Sequence, residues 1–254
     1  MGQELFSDTF LIAFMLNQYS KNQTAGKIPV RSIRKEQFDP TLYLVINPEQ
    51  CIDNNVAQTA LLSVEGGVTA IQLRSKTMGV QELVDMVADV IVALDSKNIP
   101  VFINDHVHIA VLTGVYAVHL GQDDMAVEEA RMALGDDAYL GLTVRSVSEA
   151  RSAPLQLLNY VSVGGVFHTH SKFNSDPPIG LNGLKKIVSL LRSRDPHIPI
   201  IAISGITTQN LESTLECGVD GVAIVSAICE SENPRLVAQQ FKTRINEYRN
   251  RMRI

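Results

Sequence analysis

Eight short apolar runs constrain this chain more than any other feature of it. They are Leu42–Ile46, Ala70–Leu73, Pro100–Ile103, Ala117–Leu120, Ala138–Leu142, Tyr160–Val163, Pro199–Ile203 and Gly221–Val225. Runs that stay apolar instead of alternating predict parallel strands covered on their outer face. Stretches of helical period lie between them, clearest at Val80–Leu94 and Leu181–Leu191. Asn233-Pro234 supplies an Asn cap and a Pro at the first helical position of a last helix. Strand centres fall roughly 20–30 residues apart, as a strand–helix repeat requires. Eight such units predict an α/β fold, a (β/α)8 TIM barrel over residues 41–254. The competing open, doubly wound sheet would carry G-x-G-x-x-G after its first strand, where this chain reads Asn47-Pro48-Glu49.

Residues 1–40 stand apart as an N-terminal extension. A short helix is expected around Asp8–Gln18, with Phe10 and Phe14 on one face, followed by the polar stretch Asn17–Lys27. The apolar stretch Phe10–Leu16 is far short of the ~20 residues a membrane span needs. Glu4 and Asp8 precede it where a signal peptide would be basic. These features predict a cytoplasmic protein with no membrane partner, and leave homo-oligomerisation open. The net charge of -5 and the absence of Trp argue against a nucleic-acid partner. Cys51, Cys217 and Cys229 show no C-x-x-C spacing, so buried thiols are expected rather than zinc or a redox pair.

In a barrel the residues just past each strand converge on one mouth, where such folds do their chemistry. After the second strand come Gln72, Arg74 and Lys76. Alternate residues of an extended chain share a face, and an amide with two cations suits a pyrophosphate; a solvated strand end is the plainer reading. After the third and fourth strands, Asp105 and Asp124 resemble a Mg2+ site completed by substrate phosphates and water. Asp105 could instead cap a helix over His106–Leu112. Thr169-His170-Ser171-Lys172 follows the sixth strand, with hydroxyls beside a lysine. Ser204-Gly205 and Val225-Ser226 end the seventh and eighth, where barrels recurrently bind phosphate. His106/His108 and His168/His170 are H-x-H pairs, but i and i+2 diverge on a helix, so a His-bound transition metal is disfavoured for the first. His119 ends a strand and is expected to pack beneath the site. Arg244, Arg249, Arg251 and Arg253 favour the dipole of the last helix.

From about Leu42 to Ile228 the chain resembles the thiamine-phosphate synthase family. The resemblance is carried by Gly67–Lys76 (GVTAIQLRSK), Ile103–Asp105 (IND), Val118–Asp124 (VHLGQDD), Phe167–Lys172 (FHTHSK) and Gly221–Ile228 (GVAIVSAI). It implies an enzyme that joins hydroxymethylpyrimidine diphosphate to a thiazole phosphate and releases pyrophosphate, with Mg2+ as cofactor. By position, Gln72, Arg74, Ser75, Lys76, Asn104 and Lys172 fall among the pyrimidine-diphosphate binders, and Asp105 and Asp124 match the Mg2+ ligands. Thr169, His170 and Ser171 fall on the thiazole-phosphate side, with Gly205, Val225 and Ser226 as its phosphate cup. Thr143 keeps the hydroxyl of a family Ser. Lys172, Arg74 and Thr143 are the residues expected to act on the reacting groups.

The chain departs from the family pattern in three places. Ile46-Asn47 replaces Thr-Asp, Thr143-Val144-Arg145 replaces Ser-x-His, and Gly164-Gly165 replaces Gly-Pro. Two other functions stay open on sequence: a thiazole tautomerase-like paralogue, which would need no diphosphate cradle, and a non-catalytic binder of thiamine precursors.

Overall fold

A computed structural model describes residues 38–170 and 177–252. The helix expected near Asp8–Gln18 lies outside them. The chain forms a closed, all-parallel eight-stranded barrel in sequential order, with helices in the connections. The strands are β1 Leu42–Ile46, β2 Ala70–Leu73, β3 Val101–Asn104, β4 Ala117–Leu120, β5 Tyr139–Val144, β6 Tyr160–Val163, β7 Ile200–Ile203 and β8 Gly221–Ile224. Each overlaps one of the eight apolar runs. The differences are of one or two residues, and two of them fall where a Pro begins the run. Pro100 and Pro199 stay outside their strands and contribute carbonyls, which accept from Ile71 and Val161 at 3.0 and 2.9 Å.

The helices are α1 Val56–Glu65, α2 Val80–Ala93, α3 Val107–Thr113, α4 Val127–Leu134, α5 Val147–Ser152, α6 Gly180–Arg194, α7 Leu211–Leu215, α8 Ser226–Cys229 and α9 Pro234–Met252. Some of their starts follow local capping chemistry. Asn55 Oδ1 accepts from Gln58 N at 3.0 Å ahead of α1, and Asn233 Oδ1 accepts from Leu236 N at 3.0 Å, with Pro234 opening α9 as expected. Helix α9 lies against the end of α1. A Cβ on Gly66 would sit 2.3 Å from Arg235 O, so a side chain there would push the two apart. Among the described residues, no helix is long and apolar enough to cross a membrane.

Period-two alternation sorts each strand into two faces. In β1, Leu42, Leu44 and Ile46 are fully buried on the side covered by helices, whereas Tyr43 and Val45 point to the barrel axis. The N-terminal end of the barrel is closed by aromatic rings. Phe38 packs with its centroid 5.0–6.4 Å from those of Tyr43, Phe102, Tyr139 and Tyr160. The sequence boundary at residue 40 assigned Phe38 to the extension; its ring sits in the barrel floor. Gly141 makes room for Tyr160, because a Cβ there would lie 2.1 Å from the Tyr160 ring. With the floor plugged by rings, the space left inside the strands opens at their C-terminal ends.

Candidate active site

That space is a cavity of about 590 Å³. Gln72, Arg74 and Lys76 all line it, as alternation along β2 and its extension predicts. Ser75, between them, is only 3% exposed and turns away. Its Oγ accepts from the N–H groups of Thr77 and Met78 at 3.3 and 3.2 Å, so it shapes the turn that carries the cations. The Arg74 N–H donates to Ile46 O at 2.9 Å, and the Thr77 hydroxyl donates to Glu49, which tie this loop to the one after β1.

Asn104 ends β3 facing the cavity, and Asp105 follows with φ +65. That left-handed conformation is one an Asp tolerates better than most residues. Asp105 does not cap α3; His106 occupies the cap position, without a side-chain bond. The freed Asp105 carboxyl meets Asp124, whose Oδ2 accepts from Gly121 N at 2.6 Å. A Cβ on Gly121 would stand 2.8 Å from that oxygen, so the close approach depends on glycine. Burial first, and Asp124 second, push the Asp105 carboxyl up to about 7, while Lys76 and Arg74 pull it back. Two carboxylates in contact repel unless a proton or a cation lies between them, and oxygen donors of this kind suit Mg2+. Among the described residues no third His, Cys, Asp or Glu joins them. A two-carboxylate set fits Mg2+, which usually keeps waters and substrate oxygens in its other positions.

On the opposite side of the mouth, Thr169 and His170 reach the cavity, together with Gly205, Val225 and Ser226. Ser171 and Lys172 lie outside the described residues. The turn after β7 is tightly wound, with Ser204 at φ +92 and Gly205 at φ +65. A Cβ on Gly205 would fall 2.2 Å from His168 O, so the loops after β6 and β7 touch only because residue 205 is glycine. Ser204 fastens them further: its Oγ accepts from Gly165 N at 3.1 Å, and its carbonyl from Phe167 N at 3.0 Å. Ser226 opens α8 beside the cavity, and the Ile228 and Cys229 amides of that turn donate to Val225 O at 3.1 and 3.0 Å.

Thr143, on β5, lines the cavity between these two halves, and Gln122 Nε2 donates to its carbonyl at 2.7 Å. Beneath it runs a row of polar groups in which His119 packs under the site, as expected, beside two tyrosines that sequence reasoning missed. His119 Nε2 is 2.6 Å from Thr143 Oγ1, and His119 Nδ1 is 2.7 Å from the Tyr160 hydroxyl. Tyr160 and Tyr43 share a hydrogen bond at 2.9 Å, and Gln72 Nε2 donates to Tyr43 at 3.2 Å. The signal for Tyr43 and Tyr160 was the parity of their strands: each lies an even number of places before a polar cavity-lining position, Asn47 and Ser162. Arg145, one of the departures from the family pattern, also lines the cavity. Its N–H donates to Glu149 at 2.7 Å, and its side chain passes beside Gly164 and Gly165.

Comparison with known proteins gives the same extent as the sequence resemblance. Residues 42–228 match the family described as Thiamine monophosphate synthase. A thiamine-phosphate synthase of Agrobacterium fabrum is 35% identical over 189 residues, covering 74% of this chain and 86% of the relative. One from Psychrobacter sp. is 36% identical, covering 78% and 92%. The solved thiamine phosphate pyrophosphorylase of Pyrococcus furiosus superposes with a TM-score of 0.72 at 28% identity, covering 84% of this chain and 98% of that one. A match across the whole barrel, with relatives above 30% identity over about three quarters of the sequence, means that the chain belongs to the thiamine monophosphate synthase family.

Proposed function

We propose that this chain is a transferase that joins 4-amino-2-methyl-5-hydroxymethylpyrimidine diphosphate to hydroxyethylthiazole phosphate, giving thiamine phosphate and pyrophosphate. The observation that supports the reading is that one cavity is lined by cations on one side and by tight glycine and serine loops on the other. Arg74 and Lys76 stand beside the Asp105–Asp124 pair on the early strands, and the Gly205 and Ser226 loops stand on the late ones. Two phosphorylated substrates placed on one mouth are held for reaction with each other.

In this reading the C–O bond between the pyrimidine methylene and the diphosphate breaks, and pyrophosphate leaves with the electron pair. The electron-rich aminopyrimidine ring stabilises the positive charge left on the methylene. Arg74 and Lys76 neutralise the charge that builds on the departing oxygens, and do so best in a site already organised around them. Lys172 adds a third cation by its match to the family motif. Asp105 and Asp124 would hold Mg2+, which supplies further neutralisation of diphosphate charge when bound. The thiazole nitrogen, positioned by its phosphate near Gly205 and Ser226, donates its lone pair to form the new C–N bond. That nitrogen carries no proton, so no general base is needed, and positioning and charge neutralisation supply most of the acceleration.

The reading is tested by incubating the full chain with both substrates and Mg2+ and following thiamine phosphate by mass spectrometry. Product that depends on both substrates supports it. Absence of product, with the diphosphate bound, contradicts it.

A further inference from the structure

The four side-chain hydrogen bonds beneath the cavity have a direction. Tyr43 is 2% exposed and Tyr160 is fully buried, and burial pushes both phenols well above their ordinary range, so each keeps its proton. The Tyr43 oxygen accepts from Gln72 Nε2, and its own O–H needs an acceptor. Among the described residues Tyr160 Oη is the acceptor within reach; the reverse polarity would strand a buried O–H. Tyr160, having accepted, donates to His119 Nδ1. An imidazole that accepts at Nδ1 carries its proton on Nε2, and that N–H donates to Thr143 Oγ1. Thr143, which lines the cavity, then keeps its own hydroxyl proton to donate. At the other end, Gln72 has turned its NH2 to Tyr43, and its carbonyl oxygen faces the cavity.

We propose that His119 is a positioning residue, locked as the Nε2–H tautomer by a one-way chain Gln72→Tyr43→Tyr160→His119→Thr143, so that the cavity floor offers one donor at Thr143 and one acceptor at Gln72. The floor thereby selects a flat ring with a hydrogen-bond acceptor at one edge and an N–H donor at another, the pattern of an aminopyrimidine. The identity of that ring rests on the function proposed above; the tautomer and the direction of the chain do not. Gly141 belongs to the same device, since only the missing Cβ lets the Tyr160 ring lie where its hydroxyl reaches both Tyr43 and His119.

The test uses the full chain labelled with 15N-histidine, without substrates, near neutral pH, with the His119 signals assigned by their loss in His119→Gln. Long-range 1H–15N correlation is expected to show an unprotonated Nδ1 and a protonated Nε2 in the wild type. Tyr160→Phe, which removes the hydroxyl and keeps the ring, is expected to lose that single tautomer. An Nδ1–H tautomer or an imidazolium in the wild type overturns the proposal, whatever the activity assay gives. For the positioning role, Tyr160→Phe should raise the KM for the pyrimidine diphosphate about tenfold and leave the KM for the thiazole phosphate within about twofold. Thr143→Ser should keep the wild-type KM and Thr143→Val should lose it. Equal changes in both KM values, or none, contradict the role while leaving the transferase reading intact.

Discussion

Gly141 and Tyr160 face each other across neighbouring strands so closely that a methyl group on Gly141 would lie 2.1 Å from the ring carbon Cζ and 2.5 Å from the hydroxyl oxygen. The glycine therefore sets where the Tyr160 ring and hydroxyl lie. Gly141→Ala should destabilise the chain by about 1–3 kcal/mol, the cost of overpacking a filled core. Denaturant unfolding measures it. Adding Tyr160→Leu should recover part of the loss, because the two substitutions act on the same contact. Simple additivity would contradict the stated clash.

Asp105 predicts an unusual pH dependence of stability. Its carboxyl is raised from 3.8 to about 7 by burial and by Asp124. Between about pH 4 and pH 7 the folded chain therefore holds a proton that the unfolded chain has already released, and stability falls as pH rises through that window. Thermal unfolding without metal should show this fall in the wild type and a flatter profile in Asp105→Asn. Over the same window, the apparent Mg2+ affinity of the wild type should rise with pH, since the cation competes with that proton.

Arg74 and Lys76 are assigned to the diphosphate. Arg74→Ala should lower kcat/KM for the pyrimidine diphosphate by about 10²–10³, the loss typical of one preorganised charge-stabilising donor. Lys172→Ala should lower turnover at least ~100-fold by the same argument. Steady-state kinetics with each substrate varied in turn checks both. The KM for the thiazole phosphate should hardly move in Arg74→Ala.

Gly205→Ala should act on the other half of the cavity. The left-handed φ of +65 and the 2.2 Å approach to His168 O both oppose a side chain. The variant should lose stability and raise the KM for the thiazole phosphate more than that for the diphosphate. The reverse order would mean that the two halves are assigned the wrong way round.

Much of this architecture was legible in the sequence because barrels write themselves in period. Continuous apolar runs marked every strand, and residues just past them, such as Arg74, Asp124 and Ser226, were bound to meet at one mouth. Three kinds of residue were harder to read. Ser75 sits inside a binding motif yet serves its own turn, a choice made by strand parity and by the N–H groups of Thr77 and Met78. Tyr43 and Tyr160 look like ordinary core residues, since an aromatic in an apolar strand does not reveal whether its hydroxyl has a partner across the barrel. Phe38 was separated from the domain it closes, because a single ring before the first strand has no periodicity to announce it.

Under the proposed function, each half of the cavity holds one substrate of a single bond-forming step. The most direct measurement of this is the ratio of pyrophosphate released to thiamine phosphate formed when wild-type chain, Mg2+ and both substrates are mixed. One pyrophosphate is expected for each thiamine phosphate, with little release when the thiazole phosphate is withheld. Full release without the thiazole phosphate, or none with it, would mean that the two halves do not serve one reaction.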